Sequence, residues 1–305
     1  MYIRFMLRYA LLLIVCVCSI TMTFGQTSNR HAKYDSLLVG DRITPAVSSV
    51  MMPRTYTEAI VYSSVITANS IFSSTGNKFY FVPPARSSYL FNTLQITHGV
   101  SAASRLNVGL DLSYRIGRMD ADPESSPLKV MGNSSENLIQ YERAFTSVGL
   151  RTRYVPFAKT SNFVVQHTFF IPINPTSSES VFLGNNRYAF NTQLLYNQLL
   201  GRKFFLFGQA DIFVRFKSET SKADLTIPVN VFATYLLSQH FYPFVMIGQS
   251  RNKAENNTIQ SYIAGAGLQY QITSMYTLNF FYYDSFAGKN AGVWQSFNLG
   301  IRGVF

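Results

Sequence analysis

Taken two residues at a time, the last thirteen positions of the chain separate into two sets. Val293, Gln295, Phe297, Leu299, Ile301, Gly303 and Phe305 form a nearly apolar set, while Trp294, Ser296, Asn298, Gly300, Arg302 and Val304 include the polar residues. Successive side chains of a strand point to opposite faces, so this segment has one greasy side and one wet side. The same period recurs at 105–116, where Leu106, Val108, Leu110, Leu112, Tyr114 and Ile116 alternate with Arg105, Asn107, Gly109, Asp111, Ser113 and Arg115. At 204–217 the even face runs Phe204, Leu206, Gly208, Ala210, Ile212, Val214 and Phe216, and the odd face includes Gln209, Asp211, Arg215 and Lys217.

Twelve strand-like stretches follow the polar start of the chain. They centre on 55–68, 88–99, 105–116, 140–154, 162–172, 188–198, 204–217, 224–237, 242–250, 258–272, 275–284 and 293–305. Segments 105–116, 140–154, 188–198, 204–217, 224–237, 258–272 and 293–305 alternate cleanly, and the other five have weaker phase. Pro228 lies on a polar-facing set and implies a bulge or a disturbed ladder bond. Short connections near 100–104, 155–161, 199–203, 238–241 and 272–274 alternate with longer polar ones near 73–87, 117–139 and 173–187, and with shorter counterparts near 218–223, 251–257 and 285–292. Short turns on one side and long loops on the other are the asymmetry of outer-membrane barrels. The pattern predicts an all-β chain, a transmembrane antiparallel up-and-down β-barrel of about twelve strands, with ten or fourteen also open. A soluble β-sandwich also alternates, but its outward face should carry many charges, whereas these polar faces favour Ser, Asn, Gln, Gly and Tyr.

Both ends of the chain support that reading. Residues 1–25 carry Arg4 and Arg8, then an apolar run from Ala10 to Ile20, then Thr23 and Gly25. This is the layout of a secretory signal peptide cleaved before Gln26, and the apolar run is too short to span a bilayer. Cys16 and Cys18 lie inside it, so the processed chain is expected to hold no disulfide and no thiolate metal site. Residues 26–54, with Pro45 and Pro53, read as a periplasmic lead-in, and 55–305 as the barrel. At the other end, the terminal Phe305 with Phe297, Leu299 and Ile301 resembles the C-terminal signal by which the barrel-assembly machinery recognises its substrates.

Composition narrows the function classes. Aromatic residues make up 15% of the chain and charged residues only 13%, while mean hydropathy is +0.08. Nowhere after Gly25 is there an apolar run of the roughly 18 residues a spanning helix needs. The two arginines of residues 1–25 supply two of the net +11 charges, leaving +9. Basic residues sit singly among strands and form no Lys/Arg run, which argues against nucleic acid as a partner.

With the apolar phase facing lipid, the lumen receives Arg105, Arg115, Arg151, Arg153, Arg215, Lys217 and Arg302 against Asp111, Asp211 and Glu58. An excess of cations inside a low-dielectric wall favours anions in a pore. The competing reading is that these arginines fill the lumen by pairing with acids and backbone carbonyls, as in many small barrels. The four histidines, His31, His98, His167 and His240, share no metal-like spacing, and only His167 is mid-strand. A pore-facing or bulged structural role is expected for it, because a lone imidazole makes no catalytic constellation. Loop 117–139 holds Asp120, Asp122, Glu124 and Glu136 but lacks the glycine of an EF-hand, and reads as a solvated acidic loop. No cofactor, metal site or enzymatic motif is expected. Tyr154, Tyr188, Phe190, Tyr276 and Tyr282 sit near strand ends, where aromatic girdles meet the headgroups.

The stretch Leu94-Gln95-Ile96-Thr97-His98-Gly99-Val100-Ser101, followed by Arg105-Leu106-Asn107-Val108-Gly109-Leu110, is similar to a hairpin of the MetA-pathway-of-phenol-degradation-like group of outer-membrane proteins. His98 stands where that group has an aromatic residue, and Ala102-Ala103-Ser104 replaces its compact Asp-containing turn. The resemblance implies an outer-membrane barrel linked to uptake of small or aromatic compounds, and it identifies no functional residue. The expected partners are outer-membrane lipids, the assembly machinery and small solutes. The expected role is passive or weakly selective passage of anionic or aromatic solutes, with a closed structural or surface-interaction barrel as the alternative.

Overall fold

The computed structural model describes residues 50–132, 136–157, 161–173, 183, 187–218, 222–253 and 258–305, all within one compact unit, Ile43–Phe305. The signal-peptide reading falls outside the described residues. The elements in chain order are β1 (Thr57–Ala68), β2 (Ser70–Phe72), β3 (Lys78–Tyr80), β4 (Arg86–Gly99), β5 (Leu106–Asp120), a 3-10 helix (Pro127–Met131), β6 (Leu138–Tyr154), β7 (Phe163–Pro172), β8 (Ala189–Leu200), β9 (Phe204–Arg215), β10 (Asp224–Tyr235), β11 (Phe241–Lys253), β12 (Thr258–Gln271), β13 (Tyr276–Lys289) and β14 (Gln295–Val304). All except β2 and β3 form one closed antiparallel barrel of twelve strands, each paired with its sequence neighbour, and β1 closes the ring against β14. β2 and β3 make a small hairpin inside the first long loop.

Each of the twelve predicted stretches is a barrel strand. Several run further than their alternation suggested: 105–116 extends to Asp120, 242–250 to Lys253 and 275–284 to Lys289. The extra residues lie toward the long loops. There the ladder continues beyond the apolar belt, both faces meet polar surroundings, and the period-2 constraint lapses. The belt itself is plain on the outer wall, where Leu110, Ile247 and Phe280 are 52%, 57% and 56% exposed. An apolar band of this kind around a closed barrel is favourable in lipid.

Two local irregularities change which way side chains point. Between β5 and β6 the register passes from Ser113↔Ser147 to Tyr114↔Phe145, so Thr146 is an extra residue, and its hydroxyl donates to the Ser113 carbonyl at 3.4 Å. This bulge divides 140–154 into two phases and corrects the clean alternation expected there. Arg151 and Arg153 face inward below it, while Arg143 and Phe145 face outward above it. Pro228 points into the lumen opposite Ser250, and the ladder between β10 and β9 passes through Thr226 and resumes at Val229. A proline without an N–H produces such a gap.

The loop between β5 and β6 does not stand free in solvent, as its acidic composition suggested. Ser126 caps the 3-10 helix, and Val130, fully buried, packs on Val65, Leu90 and Ile116. Those three side chains form a cross-strand row on the outer face of β1, β4 and β5. Beneath the loop, Arg118 and Asp120 make a buried pair at 2.7 Å, and Arg86 Nε donates to the Pro123 carbonyl at 2.8 Å. Of the other loop acids, Asp122 accepts from the Glu124 N–H at 2.9 Å, and Glu136 lies 3.8 Å from Lys129. The acids are therefore drawn into separate local contacts and do not converge.

Candidate functional site: the lumen

The inner wall has two chemically different arcs. The first runs from β14 through β1 to β9 and is built on charge. Glu58 on β1 is fully buried and accepts from Arg302 Nε of β14 at 2.6 Å and from Arg153 Nη1 of β6 at 3.4 Å. Arg153 Nε also donates to Gln166 Oε1 at 2.8 Å. Arg151 lies 2.5 Å from the Asp111 carboxylate and donates to Gln95 Oε1 at 3.2 Å. The Gln166 amide donates to Gln193, Gln193 Nε2 to Asp211 at 3.1 Å, and Gln209 Nε2 to the same carboxylate at 2.9 Å. Ions this far from water persist only when pairing and hydrogen bonds offset their desolvation, and this network supplies both.

Residues 50–53, the described part of the expected lead-in, lie in the lumen against that arc. The Met52 N–H donates to Asn107 Oδ1 at 2.9 Å, Asn107 Nδ2 donates back to the Met52 carbonyl at 2.8 Å, and Arg153 Nη1 donates to the Val50 carbonyl at 3.0 Å. Asn107 and Arg153 are inward positions of β5 and β6, so residues 50–53 lie inside the short-turn mouth of the barrel. Gly99, inward on β4, makes the passage possible, because a Cβ there would collide with the Pro53 and Met52 carbonyls.

The second arc, on β7 to β13, corrects the expectation of a wholly polar interior. Val164, Leu195, Phe205, Phe207, Phe232, Phe244, Met246 and Phe281 form a buried cluster, with Met51 of the lead-in and Tyr62 and Tyr283 packed on it. Ring centroids step from Phe207 to Phe232 (5.6 Å), Phe244 (6.0 Å), Phe281 (5.9 Å) and Tyr62 of β1 (6.1 Å). These tilted spacings are favourable for aromatic pairs. Gly267 on β12 leaves the room for two of those rings, since a Cβ there would strike both Phe244 and Phe281. The signal was present in 204–217, whose inward face carries Phe205, Phe207 and Phe213 beside Gln209 and Asp211. Alternation identifies a face, and it does not say that the face is polar along its whole length.

Toward the long loops the lumen is basic. The Arg115 guanidinium lies 4.7 Å from the Phe91 ring centre and donates to the Leu183 carbonyl at 2.7 Å. Arg215 and Arg187 share Asp224, at 2.9 and 2.8 Å. Arg187 and Asp224 were not singled out in the sequence because each stands at or beyond the end of its strand, where alternation gives no phase. Two expected lumen residues lie elsewhere: Arg105 precedes β5 in the short turn, and Lys217 is exposed beyond the end of β9. Thus Arg302, Arg153 and Asp211 are joined through Glu58, Gln166 and Gln193, Asp111 and Arg151 pair beside them with Gln95, and Arg115 and Arg215 stand apart from both groups.

His167 faces outward, against the expectation of a pore-facing residue. It sits between Tyr154 and Phe190, at ring distances of 5.8 and 5.6 Å, and its Nδ1 is 3.0 Å from the Thr192 hydroxyl. Its strand partners Thr152 and Thr192 show the same outward phase. Among the described residues, no group of three His, Cys, Asp or Glu side chains is arranged to hold a metal. Phe297, Leu299, Ile301 and Phe305 all point outward, and the Phe305 main chain exchanges two 2.9 Å bonds with Thr57 at the closing seam. Tyr276 packs on Phe305 and Tyr282 on Phe297, at 6.0 and 4.9 Å.

No family model and no curated protein matches the chain. Solved structures do. An outer membrane channel from Pseudomonas putida F1 is similar over 86% of this chain and 100% of its own, at 16% identity and a TM-score of 0.62. The beta domain of the Bordetella autotransporter BrkA is similar over 81% of this chain and 99% of its own, at 12% identity and a TM-score of 0.52. The fold is that of an outer-membrane β-barrel.

Proposed function

We propose that the protein is an outer-membrane channel for small solutes, anionic or aromatic, and that the lead-in segment closes its periplasmic mouth. The observation that carries this reading is the seat of residues 50–53 between the two arcs, with Met51 on the aromatic side and Val50 and Met52 bonded to the charged side. A solute passing there would meet guanidinium groups on one flank and aromatic rings on the other. The basic long-loop end would raise the local concentration of anions ahead of that constriction. The resemblance of the 94–110 hairpin to the phenol-degradation-linked group supports the same solute class, and the fold shared with the Pseudomonas outer membrane channel supports a channel without naming a solute.

The test is planar-bilayer conductance of the processed chain and of a variant lacking residues 26–53, both verified as folded by heat-modifiable migration. The variant should conduct more, with reversal potentials that favour anions at low salt. If neither chain conducts, the lumen is a filled structural core and the loops carry the function. The buried Glu58 network is the observation that favours that second reading. We also read Phe297, Leu299, Ile301 and Phe305 as the assembly signal. Deleting Phe305 should lower the outer-membrane yield more than deleting Glu124 from the long loop, and equal yields would remove the case for it.

A further inference from the structure

The outer wall beside the 3-10 helix carries a cation that the channel does not use. The bulge at Thr146 turns Tyr141, Arg143 and Phe145 of β6 outward, next to Ile116 of β5. Arg143 is exposed and, among the described residues, has no hydrogen-bond or ion-pair partner. Phe145 below it is 53% exposed and packs on Tyr114 at 5.0 Å, while Tyr141 above it leans on the cluster under Val130. Arg143 therefore stands at the upper edge of the apolar belt, flanked by aromatic residues. That is the headgroup level of a membrane, where a lone cation is tolerated and an anionic headgroup can meet it.

The neighbouring 3-10 helix extends the same chemistry. Val130 anchors it to the wall, but Leu128 and Met131 are each 59% exposed. Among the described residues, the Lys129 ammonium is held by a single 3.8 Å contact to an exposed Glu136. A loop in plain water gains nothing from presenting two large apolar side chains; a loop laid on the lipid-facing wall places them among acyl chains. Cations above and apolar surface below match a ligand with phosphate at one end and hydrocarbon at the other.

We infer that this face binds a phosphorylated, multiply acylated lipid of the outer leaflet, with Arg143 and Lys129 on its phosphate and Leu128, Met131 and Phe145 along its chains. The inference rests on the barrel's place in the outer membrane and is independent of whether the lumen conducts. The experiment is native mass spectrometry of the processed, detergent-solubilised barrel titrated with bisphosphorylated lipid A, and in parallel with the same lipid stripped of phosphate. Folding is checked by heat-modifiable migration, and conductance is recorded separately, so failure of either reading is distinguishable. One lipid A should remain bound to the wild type. Binding should weaken by about tenfold or more for Arg143→Gln, since one charge-assisted contact is removed, and at least as much for the stripped lipid, which also loses the Lys129 contact. Lys129→Gln should weaken it less. Equal binding by the wild type and Arg143→Gln, equal binding of both lipids, or no lipid on a folded barrel would each overturn the assignment. A Phe145→Cys variant that cross-links to a second copy and excludes lipid would assign the face to barrel–barrel contact instead.

Discussion

The charged arc and the aromatic arc of the lumen fill the same cylinder by opposite means. On the charged side, Glu58 is fully buried between two guanidinium groups, and its position is defined by hydrogen-bond geometry. On the aromatic side, Phe207 is just as buried, but its position is defined by shape, among Val164, Leu195, Phe205 and Phe232. The two respond differently to damage. A network of ions fails sharply when one member is lost, because the others remain buried and unpaired. An apolar cluster loses contacts in proportion to the volume removed.

Four changes would break or sharpen that contrast. Glu58→Ala should have the largest effect, about 3–5 kcal/mol of lost stability, because Arg153 and Arg302 would then face one another without their acid. Replacing Glu58, Arg153 and Arg302 together with apolar residues of similar size should restore most of that loss. Both are read from the temperature at which the compact gel band converts to the unfolded one. If the triple variant is as weak as the single one, pairing is not what holds this arc.

Phe207→Ala should come next, at about 3 kcal/mol, in the range for emptying a packed aromatic site. A change well under 1 kcal/mol would mean that water already fills the gap between the rings and that the arc is a wet wall. The smallest effect on stability should come from Arg115→Gln with Arg215→Gln. Asp224 keeps Arg187 as a partner, and among the described residues Arg115 meets the Leu183 carbonyl and the Phe91 ring. Stability should change by less than about 1 kcal/mol, the scale of a partly solvated pair. Reversal potentials in conducting barrels should move toward neutral, and more so at low salt, where the Debye length exceeds about 10 Å. An unchanged ion preference would place the selective charge in the buried network instead.

The contrast also marks where sequence reasoning stopped within the site. Arg151, Arg153 and Arg302 were legible as inward cations because they fall on the polar phase of well-alternating strand segments. Asp111 was legible for the same reason and Glu58 only from a segment of weaker phase, but the pairing was not. Glu58 and Arg302 are far apart in the chain and meet only because β1 closes on β14. The inward phenylalanines share a phase with glutamines and an aspartate, so no windowed pattern could separate a filled arc from a wet one. His167 shows the opposite failure: a polar side chain on the lipid-facing phase, stabilised by Thr192 and two rings on adjacent strands.

The sequence by itself determined an antiparallel barrel of about twelve strands in neighbour order and the face of most well-phased residues. Those properties follow from local rules: side chains alternate with period two, turns punctuate strands, and lipid demands an unbroken apolar face. Tertiary structure alone decided the rest. Closure of the ring brought Glu58 to Arg302, the extra residue at Thr146 turned Arg143 outward, Met52 found Asn107, and Val130 found the outer row of Val65, Leu90 and Ile116. Each of these is a meeting of segments distant in sequence, set by the curvature and register of a closed sheet, and no property of either segment alone encodes it.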